Sequence, residues 1–178
     1  KKPEIVIDFF PESGNLLNNV SNTVGVRVLD PVSQKGINTT GYIIADGKDT
    51  ISRFTTQRFG LGKFSFTPVP RKKYTACVKV GGKAITSEEL PAAINSGYAL
   101  HVDETSNAFN VTVNAQNRDN EKIFLVAHKD AENKFVKQLS GSSGSTIELK
   151  KSELGTGVIY FTLFNQHQQP ISERLVFI

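Results

Sequence analysis

The 178-residue sequence contains a single cysteine, Cys77, and neither tryptophan nor methionine. One thiol excludes an internal disulfide and any cysteine-rich metal site. The absence of methionine even at position 1 predicts a piece of a longer precursor or a processed form, and any signal peptide would lie outside this sequence. No apolar run approaches the roughly 18–20 residues that cross a bilayer, so we expect no membrane insertion by this segment.

Charge is distributed unevenly along the chain. Residues 1–89 contain 13 basic and 8 acidic side chains, a net charge of +5, whereas residues 90–178 contain 8 and 9, a net charge of −1. A nucleic-acid-binding protein would add a recognisable module or aromatic residues among the basic ones, and neither is evident. We therefore expect no nucleic-acid partner. The basic run Arg71–Lys73 is interpreted as a solvated turn, with an anion or a membrane surface as the alternative contact.

The hydrophobic pattern is that of short β-strands. With 38% hydrophobic side chains, 178 residues can build the cores of two small domains. Residues 23–29 alternate between apolar and other side chains, and Phe64 and Phe66 share one face of another predicted strand. The dipeptide Asp46-Gly47 predicts a hairpin turn. Helical spacing is nearly absent, and turn signals every ~8–12 residues are typical of an antiparallel sandwich.

The strand pattern stops at residues 87–97, where we expect at most one helical turn, and then restarts. Within the second half, Ile123–His128 is a continuous apolar run that suits a central strand covered on both faces. The sequence therefore predicts an all-β fold of two tandem immunoglobulin-like antiparallel β-sandwich domains. The first domain is predicted at residues 1–89, a linker at 90–97 and the second domain at 98–178.

Candidate metal ligands are present, but not in a recognisable arrangement. Three dispersed histidines could bind zinc only from distant strands; they are His101, His128 and His167. Four acidic residues lack EF-hand spacing; they are Asp46, Asp49, Asp103 and Glu104. Calcium near the domain junction stays an alternative, with Asp103 and Glu104 as its nearest ligands. We otherwise predict no metal ligand and no cofactor.

Candidate catalytic features have ordinary structural explanations. Cys77 has no CxxC partner and no evident base, which predicts an unreactive strand thiol. Ser142 lies in a Gly/Ser-rich loop rather than the strained elbow of a hydrolase. The GxG within Gly60–Lys63 lacks the helix that a phosphate cradle requires and predicts a tight turn. Glycosylation sequons occur at residues 19–21, 38–40 and 110–112 and carry meaning only outside bacteria. No catalytic residue is predicted.

Several segments resemble macroglobulin-like (MG2-type) domains. In the first half, Phe9–Leu16 is similar to the family's FFPEGGNLV opening, and Asp30–Gly36 with Gly41–Ile43 is similar to its D-x-x-G turn and following G-x-I/V strand. Gly60–Pro68 is similar to the family's G-x-G-x-F-x-F-x-P stretch, and Tyr74–Ala76 is similar to its Y-x-A. The second half contains segments similar to G-Y-x-L and to the closing G-x-P-L-A-E-R-L-V-F: Gly97–Leu100 and Gln169–Phe177. Ser13 and Gln168-Gln169 depart from these patterns.

The resemblance implies two macroglobulin-type domains from a large cell-envelope protein of Bacteroidetes-type bacteria, in which such domains precede carboxypeptidase-regulatory-like and TonB-receptor plug regions. It implies a secreted, periplasmic or outer-membrane-associated monomer that is not an enzyme. Its partners would be another protein or neighbouring domains of the same precursor. Full macroglobulins trap proteases through a Cys-Gly-Glu-Gln thioester, whereas Val78-Lys79-Val80 follows Cys77.

Two alternatives stay open. The first is a carbohydrate-binding accessory module, which would need coplanar exposed aromatic side chains. The second is a fragment of a protease-trapping macroglobulin or of a larger enzyme. Because functional residues concentrate on loops, the basic turn Arg71–Lys73 and the Gly/Ser-rich loop at residues 140–145 are the predicted regions of partner contact.

Overall fold

The computed structural model describes residues 5–81, 85–118, 121–141 and 144–178. Over these ranges the chain is all-β, and antiparallel strands form four sheets. The predicted all-β class is therefore confirmed.

The chain divides into two compact units. The first contains residues 1–11 and 21–93, and the second contains residues 12–20 and 94–178. The sequence-based division at 1–89, 90–97 and 98–178 stays a prediction.

The first unit has a three-stranded sheet of order β1-β2-β5 and a four-stranded sheet of order β4-β3-β6-β7. Its strands are β1 (Val6–Pro11), β2 (Asn22–Leu29), β3 (Thr40–Ala45), β4 (Asp49–Thr55), β5 (Leu61–Phe66), β6 (Tyr74–Val78) and β7 (Thr86–Glu89). A 3₁₀ turn at Arg58–Gly60 precedes β5. The expectation of irregular structure from residue 87 is wrong for its first residues, because Thr86–Glu89 pairs with β6 as an edge strand.

The core of the first unit lies between its two sheets. Rings from the four-stranded sheet, Phe54 and Tyr74, meet rings from the three-stranded sheet, Phe64 and Phe66. The ring centroids are 5.7 Å apart for Phe54 and Phe64, and 4.9 Å apart for Phe66 and Tyr74. Alternate residues of β2 are also buried: Val24, Val26 and Val28. The prediction that Phe64 and Phe66 are core residues is confirmed.

Gly47 and Gly36 lie in turns, and at each position the backbone geometry favours a residue without a side chain. Asp46 and Gly47 both have positive φ, +49° and +71°, the combination that a type I′ turn between β3 and β4 requires. At the second turn, a Cβ on Gly36 would lie 1.9 Å from the carbonyl carbon of Phe59, so two backbones approach too closely for any side chain. The predicted tight turn at Gly60–Lys63 is correct only for Gly60, because residues 61–63 begin β5.

The second unit has a three-stranded sheet of order β12-β9-β8 and a four-stranded sheet of order β11-β10-β13-β14. Its elements are β8 (Gly97–Glu104), β9 (Ala108–Gln116), β10 (Lys122–Lys129), β11 (Glu132–Ser140), β12 (Ser145–Lys150), the one-turn helix α1 (Lys151–Leu154), β13 (Val158–Asn165) and β14 (Pro170–Phe177). One buried cluster draws side chains from both sheets, including Phe109 of β9 against Phe161 of β13 at 5.7 Å.

Residues 12–20 follow β1 in sequence but pack within the second unit. Leu16 and Leu17 are fully buried there. The amide of Asn18 donates to the carbonyl of Ile94, and the amide of Ile94 donates to the carbonyl of Leu16, at 2.9 and 2.8 Å. This short parallel bridge satisfies backbone groups that would otherwise be buried without partners.

Candidate functional site

The two regions predicted for partner contact show no built site. Arg71–Lys73 lies in an exposed turn, where the Lys73 ammonium is 3.4 Å from the Glu89 carboxylate. In the Gly/Ser-rich loop, Ser142 and Ser143 lie outside the described residues. Both regions stay predictions.

The three candidate histidine ligands lie on separate elements. His101 is on β8, His128 on β10, and His167 in the turn between β13 and β14. Among the described residues, no group of three or more His, Cys, Asp or Glu side chains could hold a metal ion. Asp103 lies 3.0 Å from His101, and Glu104 accepts a 2.6 Å hydrogen bond from Lys151, so both candidate calcium ligands have protein partners.

Cys77 has the properties of a structural thiol. It lies on the face of β6 opposite Val78, and it is only 5% exposed. Burial raises the pKa of the thiol, and a hydrogen bond with Tyr42 offsets this effect only in part. Reactive cysteines have lowered pKa values and accessible sulfur atoms, and Cys77 has neither property.

A charged cluster anchors residue 12 within the second unit. The Glu12 side chain is 7% exposed, and its carboxylate lies 2.6 Å from Nδ1 of His101 and 3.2 Å from Nε of Arg174. The other ring nitrogen of His101, Nε2, lies 3.0 Å from Asp103. Because both ring nitrogens face carboxylates, the imidazole is best satisfied as a doubly protonated cation.

The electrostatics of His101 agree with this geometry. Burial lowers the pKa of His101, but the hydrogen bond to Glu12 and the charges of Glu12 and Asp103 outweigh it, so the net shift is upward. A histidine whose nitrogens are both occupied has no lone pair for proton abstraction. The cluster therefore holds a chain segment in place rather than performing acid–base chemistry.

A polar cleft of about 510 Å³ lies at one end of the second unit, beside Tyr98, Arg118 and Glu121. The Tyr98 hydroxyl donates to Glu121 at 2.8 Å, and Arg118 donates to the same carboxylate at 3.0 Å. Burial and the bond to Glu121 raise the pKa of Tyr98, and the Tyr98 and Arg118 hydrogen bonds lower the pKa of Glu121. Tyr98 and Arg118 therefore share the Glu121 carboxylate, whereas Nε of Arg118 is buried without a hydrogen-bond partner among the described residues.

The outward surface of the four-stranded sheet in the second unit is the strongest candidate. Strand pairing places ten mainly apolar side chains on this surface, beside polar ones that include Lys122, Gln138 and Glu173: Phe124, Val126, His128, Val136, Val158, Tyr160, Thr162, Phe164, Leu175 and Phe177. We call this set the apolar face. Its best exposed members are Val136 (56%), Val158 (41%), Leu175 (51%) and Phe177 (73%).

The apolar face departs from the usual pattern of an antiparallel sheet. Such a sheet normally packs one face on the core and presents polar side chains on the other. The opposite side of this sheet does pack on the core, through residues such as Leu125, Phe161 and Leu163. The run Ile123–His128 was expected to be covered on both faces, whereas Phe124, Val126 and His128 are only half-buried. Exposed apolar side chains grouped on one face of a sheet are typical of interaction sites.

A fixed polar group lies at the centre of the apolar face. The Thr162 hydroxyl is buried and donates to Glu173 at 2.8 Å, and Nε2 of His128 lies 3.3 Å from the same hydroxyl oxygen. The His128 ring stacks on the Tyr160 ring, with 5.0 Å between the ring centroids and 9° between the ring planes. Because Glu173 contacts Thr162 rather than the imidazole, these residues do not form a nucleophile, base and acid relay.

Sequence reasoning did not single out this surface. Val158, Tyr160, Phe164, Leu175 and Phe177 lie in predicted strands, but the sequence does not show which side of each strand is covered. The only sequence signal for this surface was that apolar residues are continuous along some predicted strands, where a strand with one exposed face would alternate apolar and polar residues.

Among the described residues, no helix is long and apolar enough to cross a membrane.

Comparisons with known proteins give structural likeness only. No protein-family model and no curated protein sequence match the chain. Solved structures that match include dimeric latent PorU from Porphyromonas gingivalis, with a TM-score of 0.48 and 13% identity over 97% of this chain and 19% of PorU. The adhesin InvE from Yersinia pseudotuberculosis matches with a TM-score of 0.34 and 13% identity over 98% of this chain and 58% of InvE.

A DUF4785 family protein from Legionella pneumophila matches with a TM-score of 0.34 and 10% identity, over 100% of this chain and 58% of that protein. The chain thus spans about a fifth of PorU and just over half of the other two chains. At these scores the likenesses do not assign a family.

Proposed function

We propose that this chain is a non-enzymatic pair of macroglobulin-type, immunoglobulin-like β-sandwich domains within a larger bacterial cell-envelope protein. The apolar face is the surface through which it contacts a protein partner or a neighbouring domain of the same precursor. The exposed apolar side chains on the four-stranded sheet are the observation that carries the proposal. The segments that resemble macroglobulin-like domains support the envelope location and a link to TonB-dependent transport.

The energetics of the apolar face support a contact role. Its four best exposed side chains are about half accessible. Complete burial of one such side chain provides ~1.5–3 kcal/mol, so docking should gain roughly half of that amount for each of the four side chains. The fixed Thr162, His128 and Tyr160 side chains require little reordering, which reduces the entropic cost of association.

The state of the nucleophilic and basic side chains supports a non-enzymatic role. Cys77 is buried, and its pKa is raised by burial. His101 has carboxylates at both ring nitrogens. Thr162 donates its hydroxyl proton to Glu173. None of these three groups has the activated, accessible form that covalent catalysis requires.

Three of the four tyrosines give the carbohydrate-binding alternative no support. Tyr74 is buried, and its hydroxyl accepts a hydrogen bond from the amide of Val69. Tyr98 is bonded to Glu121, and Tyr160 stacks on His128. A sugar-binding platform needs free, flat and adjacent aromatic rings, and these rings are otherwise engaged.

Site-specific photocrosslinking in the cells that produce the protein tests the proposal. A benzophenone amino acid replaces Leu175 or Val136 on the apolar face, or Leu61 on the first unit as a control that is as exposed as Leu175. We expect the same adduct from both face positions, none from Leu61, and loss of the adduct when Phe177→Asp is added. Absence of an adduct at Leu175 and Val136 would refute the proposal.

A further inference from the structure

A cleft of about 560 Å³ on the first unit collects positive charge. Three of the side chains that line it are cationic: Arg53 of β4, Lys63 of β5 and Lys79, directly after β6. Tyr42 and Phe54 contribute aromatic surface. No acidic side chain is among the described residues that line the cleft.

Sheet register explains why these distant residues meet. Arg53 lies directly across from Tyr42 in the β3–β4 pair. Lys79 follows Val78, which pairs with Gly41, the residue before Tyr42. Lys63 comes from the other sheet, whose edge strand β5 runs beside the edge strand β4, as the 3.0 Å bond from the Ser52 hydroxyl to the carbonyl of Ser65 shows.

The floor of the cleft is closely packed. A Cβ on Gly41 would lie 2.3 Å from the Phe54 ring, so the ring covers this glycine directly. Phe54 itself is buried and packs against Phe64. Arg53 and Lys63 lie on strands, and Lys79 directly follows one, so the backbone positions of the three cations are set by the sheets beside a closely packed apolar base.

The three cations have no counter-charge within the described part of the chain. No ion pair within residues 5–81, 85–118, 121–141 and 144–178 involves Arg53, Lys63 or Lys79. In the described part of the first unit, Arg27 pairs with Asp8 at 2.7 Å and Lys73 with Glu89 at 3.4 Å, and the other cations are unpaired as well. The convergence of three cations on one cleft, rather than the lack of partners, distinguishes this site. The first unit also carries 13 basic against 7 acidic residues, a net charge of +6.

We propose that this cleft binds the phosphoryl group of a phosphate ester. A guanidinium fork and two ammonium groups match the two charges and three free oxygens of a phosphomonoester better than the single charge of a carboxylate. The cleft is several times larger than a phosphate ion, so the rest of the ester lies against the half-buried Tyr42. The ester is either a small soluble molecule or a lipid headgroup. The site is independent of the apolar face.

Binding measurements with two probes test this site and distinguish a soluble phosphate ester from a lipid headgroup as its ligand. Inorganic pyrophosphate, titrated by calorimetry and amide NMR, represents a soluble phosphoryl group. Vesicles of phosphatidylcholine with about one-fifth phosphatidic acid, compared with phosphatidylcholine alone, represent a lipid headgroup. Arg53→Gln and Lys79→Gln should each weaken binding by at least tenfold, whereas Lys48→Gln in the exposed β3–β4 turn should change it less than twofold.

Each outcome decides the proposal. Pyrophosphate binding with this variant pattern supports a soluble ester, and binding to the acidic vesicles alone with the same pattern supports a lipid headgroup. Binding to neither probe overturns the proposal, and so does an equal loss in Lys48→Gln, which would indicate attraction to net charge alone. Unchanged melting temperatures of Arg53→Gln and Lys79→Gln ensure that a loss of binding is not a loss of fold.

Discussion

The replacement Glu12→Gln should destabilise the second unit in a pH-dependent manner. Glu12 is nearly buried and contacts Nδ1 of His101 at 2.6 Å and Nε of Arg174 at 3.2 Å. A hydrogen bond to a charged group contributes about 1.5–3 kcal/mol. The Arg174 contact is half exposed and contributes less, and glutamine retains one acceptor. We expect a loss of about 2 kcal/mol where His101 is protonated.

The sign of the pH dependence follows from the pKa of His101. Burial lowers this pKa, but Glu12 and Asp103 raise it more, so the folded protein holds the proton more tightly than the unfolded chain. The stabilisation is complete below the ordinary histidine pKa of ~6.5 and is lost as the pH rises through the raised value. The stability gap between wild type and Glu12→Gln should therefore narrow toward alkaline pH.

Urea denaturation followed by circular dichroism between pH 5.5 and 9, with an NMR titration of the His101 ring, measures both effects. Glu104→Gln is the matched control, because Glu104 also pairs with a cation, Lys151 at 2.6 Å, but is largely exposed. It should cost less than about 1 kcal/mol and leave the pH profile unchanged. A gap for Glu12→Gln that stays constant across this pH range would refute the role assigned to the pair.

Three further predictions test the packing of the first unit. Phe64→Ala should lower the free energy of unfolding by about 3–5 kcal/mol, because Phe64 is buried between aromatic neighbours; an unchanged melting midpoint would contradict its placement. Gly36→Ala should destabilise far more than Gly25→Ala, whose added Cβ would meet nothing closer than 3.5 Å, and equal urea midpoints would show that the close backbone approach is wrong. Cys77 should react with a thiol reagent far more slowly in native protein than in urea, and equal rates would mean that its thiol is accessible.

The sequence predicted most strands because their sides alternate between core and surface. Val24, Val26 and Val28 are buried on β2 as alternation required, and Asp46-Gly47 forms the expected turn. The strand β7 was missed because three of its four residues are exposed, so the edge strand Thr86–Glu89 carries no alternation. Leu16 and Leu17, fully buried in the second unit, also had no periodic context.

The candidate surfaces depend on strand register, which sequence patterns do not supply. Val136 and Leu175 share the apolar face because β10 and β13 lie between their strands. Arg53 and Lys79 line one cleft because both flank β3 through separate pairings. The Glu12–His101 contact joins residues 89 positions apart. Composition showed the basic excess of the first half but not where its cations converge.

Radical footprinting most directly tests whether the apolar face is a contact surface. Hydroxyl-radical labelling compares aromatic side chains in purified protein and in the cells that produce it. Phe177 and Tyr160 on the apolar face should be labelled several-fold less in cells, whereas the exposed Phe10 and Phe59 of the first unit should be labelled equally in both. Equal labelling of Phe177 and Tyr160 in the two preparations would contradict the assignment of this face to a partner.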